Sequence, residues 1–201
     1  MTKKKIAKKV VKKKKSVKKK KQKKLTYKNE IKIEQILLHN RQVFLSGTID
    51  TEKAHEIVTT LTALNAYDTG KPIVLWINSP GGSVYDGFSI IDCLTSMTSP
   101  VVTIVNGLAA SMAGIISIFG ASRYMTKNSV WMAHDMACGD YDYVTKVKDR
   151  FQNSEILQSR VMKMFRERTK LTEQDLEKSR HGELWLYAEE CKKKGIIEDI
   201  L

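Results

Sequence analysis

The spacing of apolar and polar positions changes several times along this chain, and each change predicts an element. Residues 42–47 (QVFLSG) are a short β-rich run stopped by glycine. Residues 51–67 carry Ala54, Ile57, Val58, Leu61 and Leu64 at helical spacing, with Asp50 or Thr51 placed to cap the N-terminus. Residues 72–77 (PIVLWI) and 101–105 (VVTIV) are continuous apolar runs of the kind that strands buried on both faces show. Between them, residues 83–97 read as a helix with Phe88, Ile91, Cys93 and Leu94 on its apolar side. An apolar helix is predicted over 110–119, a strand over 129–133 (SVWMA) and a long amphipathic helix over 143–168. Shorter helices follow at 172–178 and 188–194, and the apolar-rich stretch 31–38 fits either a short helix or a strand. Strands alternating with helices predict an α/β fold with a mostly parallel sheet and right-handed crossovers.

Composition adds limits. The chain has 201 residues, 42% of them hydrophobic, which is enough for a sizeable core and excludes wholesale disorder. No run approaches the roughly 18 apolar residues of a membrane-spanning helix, and no apolar signal region opens the chain. Cys93, Cys138 and Cys191 are widely spaced and odd in number, so no disulfide framework is expected and a cytoplasmic protein is.

The formal charge of +13 is concentrated at one end. Residues 1–24 hold 15 of the 35 basic side chains and no acid, so residues 25–201 carry 20 basic against 22 acidic groups, a net charge of −2. The basicity therefore belongs to a tail, not to the body. The expected organisation is a disordered lysine-rich tail over 1–24 and a folded domain over 25–201. The tail has no aromatic residue for base stacking and no arginine. Its functional readings are non-specific attachment to nucleic acid, an anionic membrane or an acidic protein surface, or service as a removable pro-segment.

Two predicted strand-to-helix turns carry candidate chemistry. In Asn78-Ser79-Pro80-Gly81-Gly82-Ser83 the proline fixes one φ and the glycines allow a sharp turn that brings backbone N–H groups close to a ligand. That is how an oxyanion hole is built; the bland alternative is a tight turn without chemistry. In the second, 106–114, Ser111 stands among small residues at the start of a helix. It suits a nucleophile, or it simply caps the helix. A serine nucleophile needs a base. His39 and His55 fall at ordinary surface positions and His181 in a polar loop, while His134 closes a strand and is the better candidate. For an orienting carboxylate, Asp135, Asp140, Asp142, Asp175 and Glu183 all remain open at this level.

The segments INSPGGSVYDGFSI, GLAASMAG, NSVWMAH and AEECKKKGIIEDI, in that order, resemble ClpP, the family of proteolytic subunits of the Clp protease, from about residue 40 to 201. The resemblance implies a crotonase-like (ClpP-like) α/β fold of repeated β-β-α units with a mostly parallel sheet and a protruding long helix. It implies a serine endopeptidase acting on unfolded or delivered proteins inside a homo-oligomeric ring, heptameric or double heptameric, with an AAA+ unfoldase as partner. Ser111 matches the family nucleophile, His134 its base, and the N–H groups of Gly82 and Met112 its oxyanion hole. Glu183 falls where the family usually has aspartate.

Other positions depart from the pattern. Asp135-Met136-Ala137 stands where the family tends to have Gln-Pro, and Cys138-Gly139-Asp140-Tyr141 is less glycine-rich than usual. The lysine tail replaces a short gate segment, and Asn106 and Thr126 replace apolar docking positions while Trp76 and Tyr124 keep aromatic character. These departures imply a different partner and a phage-encoded or otherwise divergent member. No metal or organic cofactor is expected, and the absence of GxxxxGK[ST] argues against ATP hydrolysis by this chain itself. The rivals are an acyl-CoA-processing crotonase, which would need no serine nucleophile, an inactive structural or scaffolding ring subunit, and a tethering protein working through its tail.

Overall fold

The apolar runs form the centre of a seven-stranded sheet in a computed structural model of the chain, which describes residues 33–137 and 142–201. After helix α1 (Ile33–His39) come β1 (Gln42–Ser46), α2 (Thr51–Tyr67), β2 (Ile73–Ser79), α3 (Val84–Ser96) and β3 (Val101–Ala110). Then follow α4 (Met112–Ser117), β4 (Ser122–Met125), β5 (Val130–His134) and α5 (Val144–Arg168). The chain closes with α6 (Glu173–His181), β6 (Glu183–Tyr187), α7 (Ala188–Lys193) and β7 (Asp199–Ile200). Residues Leu37–Leu201 cluster as one compact unit. The lysine-rich segment lies outside the described residues.

The strand order is β1-β2-β3-β4-β7, all parallel. β3 is long enough to serve two partners: Val102–Val105 pair with β4, and Leu108–Ala110 pair with β5. The fork falls at Asn106 and Gly107, where φ of Gly107 is +109° and the Asn78 Oδ1 accepts the Leu108 N–H at 3.1 Å. β5 then pairs antiparallel with β6. Ile73, Leu75 and Ile77 of β2 are fully buried, as are Leu45, Ile57, Leu61 and Ile90 from the neighbouring elements. Each such side chain contributes about 1.5–3 kcal/mol by leaving water.

Asp50 caps α2 by accepting the Lys53 N–H, and Ser83 caps α3 through the Asp86 N–H, so both helices start where polar residues end the preceding turns. α5 has 25 residues, but its buried ones, Leu157, Val161, Met162 and Phe165, all lie in its C-terminal half. The N-terminal half exposes Val144, Phe151 and Ile156, so the helix extends beyond the core it anchors.

The structure departs from the periodicity at definite places. Within the stretch 31–38, residues 33–38 are helical, and residues 31–32 lie outside the described residues. The strand predicted to stop at Val105 continues to Ala110, because Leu108–Ala110 gain a second partner in β5. The helix predicted from Ala110 therefore begins only at Met112 and ends at Ser117. β4, β6 and β7 were not apparent in the pattern. α6 runs on to His181, so that histidine lies on a helix, paired with Glu177 at 3.2 Å, and not in a loop.

Candidate active site

Two strand-to-helix turns meet at the C-terminal ends of β2 and β3. The first passes through Pro80, Gly81 and Gly82, with φ of +93° at Gly81 and +150° at Gly82. Fully buried Ser79 braces it: its Oγ accepts the Gly81 N–H at 3.1 Å. Ile49 forms a parallel bridge here, donating its N–H to the Gly81 carbonyl and accepting the Ser83 N–H, both at 2.8 Å. Those bonds leave the Gly82 N–H without a backbone acceptor among the described residues. A Cβ at Gly81 would stand 2.6 Å from the Ala110 carbonyl oxygen and 2.8 Å from Ser111 Cβ, and one at Gly82 would strike the Ile49 carbonyl. Glycine at both positions is what lets this turn lie directly against the second one.

The second turn is Ser111. Its φ of +54° and ψ of −125° are unusual for a residue with a side chain and cost of order 1–3 kcal/mol. Ser111 occupies the N-cap position of α4, yet its side chain makes no capping bond. The reading in which it merely caps the helix therefore does not hold. Its backbone N–H donates to the Met132 carbonyl at 2.8 Å, which hangs the turn from β5. The next residue, Met112, buries its side chain against Gly87 of α3, where a Cβ would collide with it. The Met112 N–H lies in the first turn of α4 and has no intrahelical acceptor.

His134 ends β5 two residues after Met132 and is half-buried. It and Ser111 line one cleft together with Gly81, Gly82 and Met112. Across the β5–β6 ladder His134 stands opposite Glu183. The Glu183 Oε2 accepts the Trp185 indole N–H at 2.8 Å. Among the described residues, no hydrogen bond links Glu183 to His134.

The other candidate acids are engaged elsewhere or lie apart. Asp142 takes the Tyr143 N–H and pairs with Arg150 at 3.1 Å and Lys146 at 3.6 Å. Asp175 forms a capping box with Thr172 and an ion pair with Lys194. Burial alone would raise its carboxyl, but the bonds from Lys194 and Thr172 outweigh that and hold it below the usual aspartate value. Asp135 lines the cleft and accepts the Met136 N–H. Asp140, with the rest of 138–141, lies outside the described residues. His39 and His55 are exposed and line no part of the cleft.

The cleft encloses about 1010 Å³. One wall is apolar, from Ile115 of α4 and Phe151, Leu157, Val161 and Phe165 of α5. Asn153 Nδ2 donates to the Tyr85 hydroxyl at 2.7 Å, linking α5 to α3 beside Ser111. Neither Tyr85, Asn153, Ser79 nor Trp185 was singled out from the sequence. Of these, Ser79 carried a local signal, since it sits inside the glycine turn. Among the described residues, no group of three or more His, Cys, Asp or Glu is arranged to hold a metal ion. No described helix is long and apolar enough to cross a membrane. At the predicted docking positions, Thr126 Oγ1 lies 3.5 Å from the Asn106 Oδ1, and Trp76 stacks on Phe44 with ring centroids 6.3 Å apart.

A hydroxyl on a strained turn, an imidazole and unspent backbone N–H groups around one cleft are the parts that acyl transfer requires. The family model of the Clp protease matches residues 23–201. The ATP-dependent Clp protease proteolytic subunit 1 of Chlamydia pneumoniae is 36% identical over 173 residues, covering 84% of this chain and 91% of that one. The subunit of the same description from Protochlamydia amoebophila is 33% identical, covering 85% and 84%. The ATP-dependent Clp protease proteolytic subunit of Streptococcus mutans is 33% identical, covering 82% and 86%.

Proposed function

The chain belongs to the Clp protease family, and on that premise we propose that it is a serine endopeptidase whose nucleophile is Ser111, whose base is His134 and whose third member is Glu183. The observation that carries this reading is the conformation of Ser111. A side chain held at positive φ, without a capping bond, in a cleft shared with His134, is strain retained where chemistry uses it.

The mechanism uses only these parts. The Ser111 Oγ attacks the carbonyl carbon of a peptide bond while its proton passes to His134. The oxygen of the tetrahedral intermediate takes hydrogen bonds from the Gly82 and Met112 N–H groups. As the C–N bond breaks, His134 gives its proton to the leaving amine, and an ester remains on Ser111. Water then attacks the ester, His134 takes a proton from it and returns one to Ser111, and the carboxylic acid leaves. Glu183, opposite His134 in the ladder, is assigned the orienting role: in the reacting site its carboxylate accepts the imidazole N–H and fixes the required tautomer.

The relatives are described as ATP-dependent, whereas this sequence carries no GxxxxGK[ST]. Delivery of protein substrates therefore falls to a separate ATPase, and the subunit assembles in a ring that encloses the cleft. The test is peptide hydrolysis by the full chain and by Ser111→Ala and His134→Ala. Each variant should lose at least about 10³-fold in kcat/KM while retaining its circular dichroism. Hydrolysis at the wild-type rate by either would refute the assignment.

A further inference from the structure

Resting on that reading of Glu183, we infer that Trp185 is a positioning residue for the acid, adapting the site to a glutamate. In the β5–β6 ladder His134 pairs with Glu183, and Met132 pairs with Trp185. The period of two puts Glu183 and Trp185 on the same face, with Leu184 and Leu186 buried on the other.

Directly opposed residues of an antiparallel pair have Cβ atoms roughly 4.5–5.5 Å apart. An aspartate spans that gap to an imidazole with one methylene. A glutamate has one methylene and one torsion more, so its carboxylate can swing wide of the ring. Here one oxygen is fixed: the Trp185 Nε1 donates to the Glu183 Oε2 at 2.8 Å. A carboxylate oxygen pair accepts several hydrogen bonds, so the Oε1 stays available for the imidazole N–H.

The indole thus removes the torsional freedom that the longer side chain adds. Trp185 is 44% exposed, so it is not a core residue forced by burial to find a partner for its indole. Its contact with Glu183 is the one hydrogen bond its indole makes among the described residues. Trp185→Phe removes the donor while keeping an aromatic ring at a position that contributes little to the core.

The experiment is a double-mutant cycle on the full chain, read as the second-order rate of fluorophosphonate labelling of Ser111 and as kcat and KM for a short peptide. Trp185→Phe should slow labelling and lower kcat roughly tenfold with KM unchanged. In a Glu183→Asp background the same change should alter either rate by less than about twofold, because a shorter arm does not reach the indole. An equal loss in both backgrounds, or none in wild type, would overturn the positioning role. If Glu183→Asp reacts too slowly to compare, Trp185→His, which restores a ring N–H, replaces that arm: faster labelling than Trp185→Phe supports the role and equal labelling overturns it. Undiminished labelling of Glu183→Ala would instead remove Glu183 from the triad, a separate failure.

Discussion

His134 and Glu183 stand directly opposite each other across the β5–β6 ladder, the one antiparallel pairing in the described sheet. This pairing brings together residues 49 positions apart in sequence, and His134 lines the same cleft as Ser111. If the carboxylate orients the imidazole, then charge matters as well as shape. Glu183→Gln should lower kcat/KM by about 10²-fold or more, because an amide can stabilise the wrong tautomer. Steady-state peptide hydrolysis checks this, and Glu183→Asp should retain more activity than Glu183→Gln.

Gly81 is constrained twice, by its φ of +93° and by the 2.6 Å that would separate a Cβ from the Ala110 carbonyl oxygen. Gly81→Ala should push the first turn away from Ser111 and Met112. The expected result is a fall in kcat of about 10²–10³-fold, the usual cost of losing an oxyanion donor. Because the backbone must also shift, the variant should melt at lower temperature than wild type, measurable by calorimetry.

The floor beneath the site depends on Trp131. It is fully buried, packs edge-on to Phe165 with centroids 5.8 Å apart, and donates its indole N–H to the Gly114 carbonyl at 3.1 Å. Trp131→Ala should destabilise the fold by about 3–5 kcal/mol, read from urea unfolding. Trp131→Phe should cost less, since it keeps most of the apolar area and loses mainly the hydrogen bonds.

How much of this was legible in the sequence differs by element. The helix of residues 51–67 and its Asp50 cap were readable because apolar spacing and a capping residue agree. Asn106-Gly107 read as the end of a strand, because nothing local reveals that β3 changes partners there. β6 (ELWLY) alternates buried leucines with exposed Glu183, Trp185 and Tyr187, but two of the exposed residues are aromatic, so its period of two was masked. β4 is short and carries a half-buried arginine, Arg123, among only four residues.

The candidate site divides along the same line. Gly82, Ser111 and His134 sit at the ends of apolar runs, where a linear reading can find them. By spacing alone Glu183 stood among five candidate acids; the resemblance to ClpP singled it out, and the register of β6 sets it opposite His134. The Trp185–Glu183 bond and the Tyr85–Asn153 bond depend on strand register and on packing between distant elements, which no spacing in the sequence encodes.

The Asp175 ion pair should give the fold an acid-sensitive component. Its folded-state value is depressed below 3.8, so its stabilisation is complete above that ordinary value and disappears as pH falls through the lower folded one. As pH falls below about 4, wild type should therefore lose stability more steeply than Asp175→Asn. Urea midpoints measured across that range check the difference.

Fluorophosphonate labelling followed by intact mass measurement reads whether Ser111 is a working nucleophile. The wild-type protein should take one adduct per chain and Ser111→Ala none. An adduct that persists on Ser111→Ala, or a folded and assembled wild type that takes none, would contradict that role.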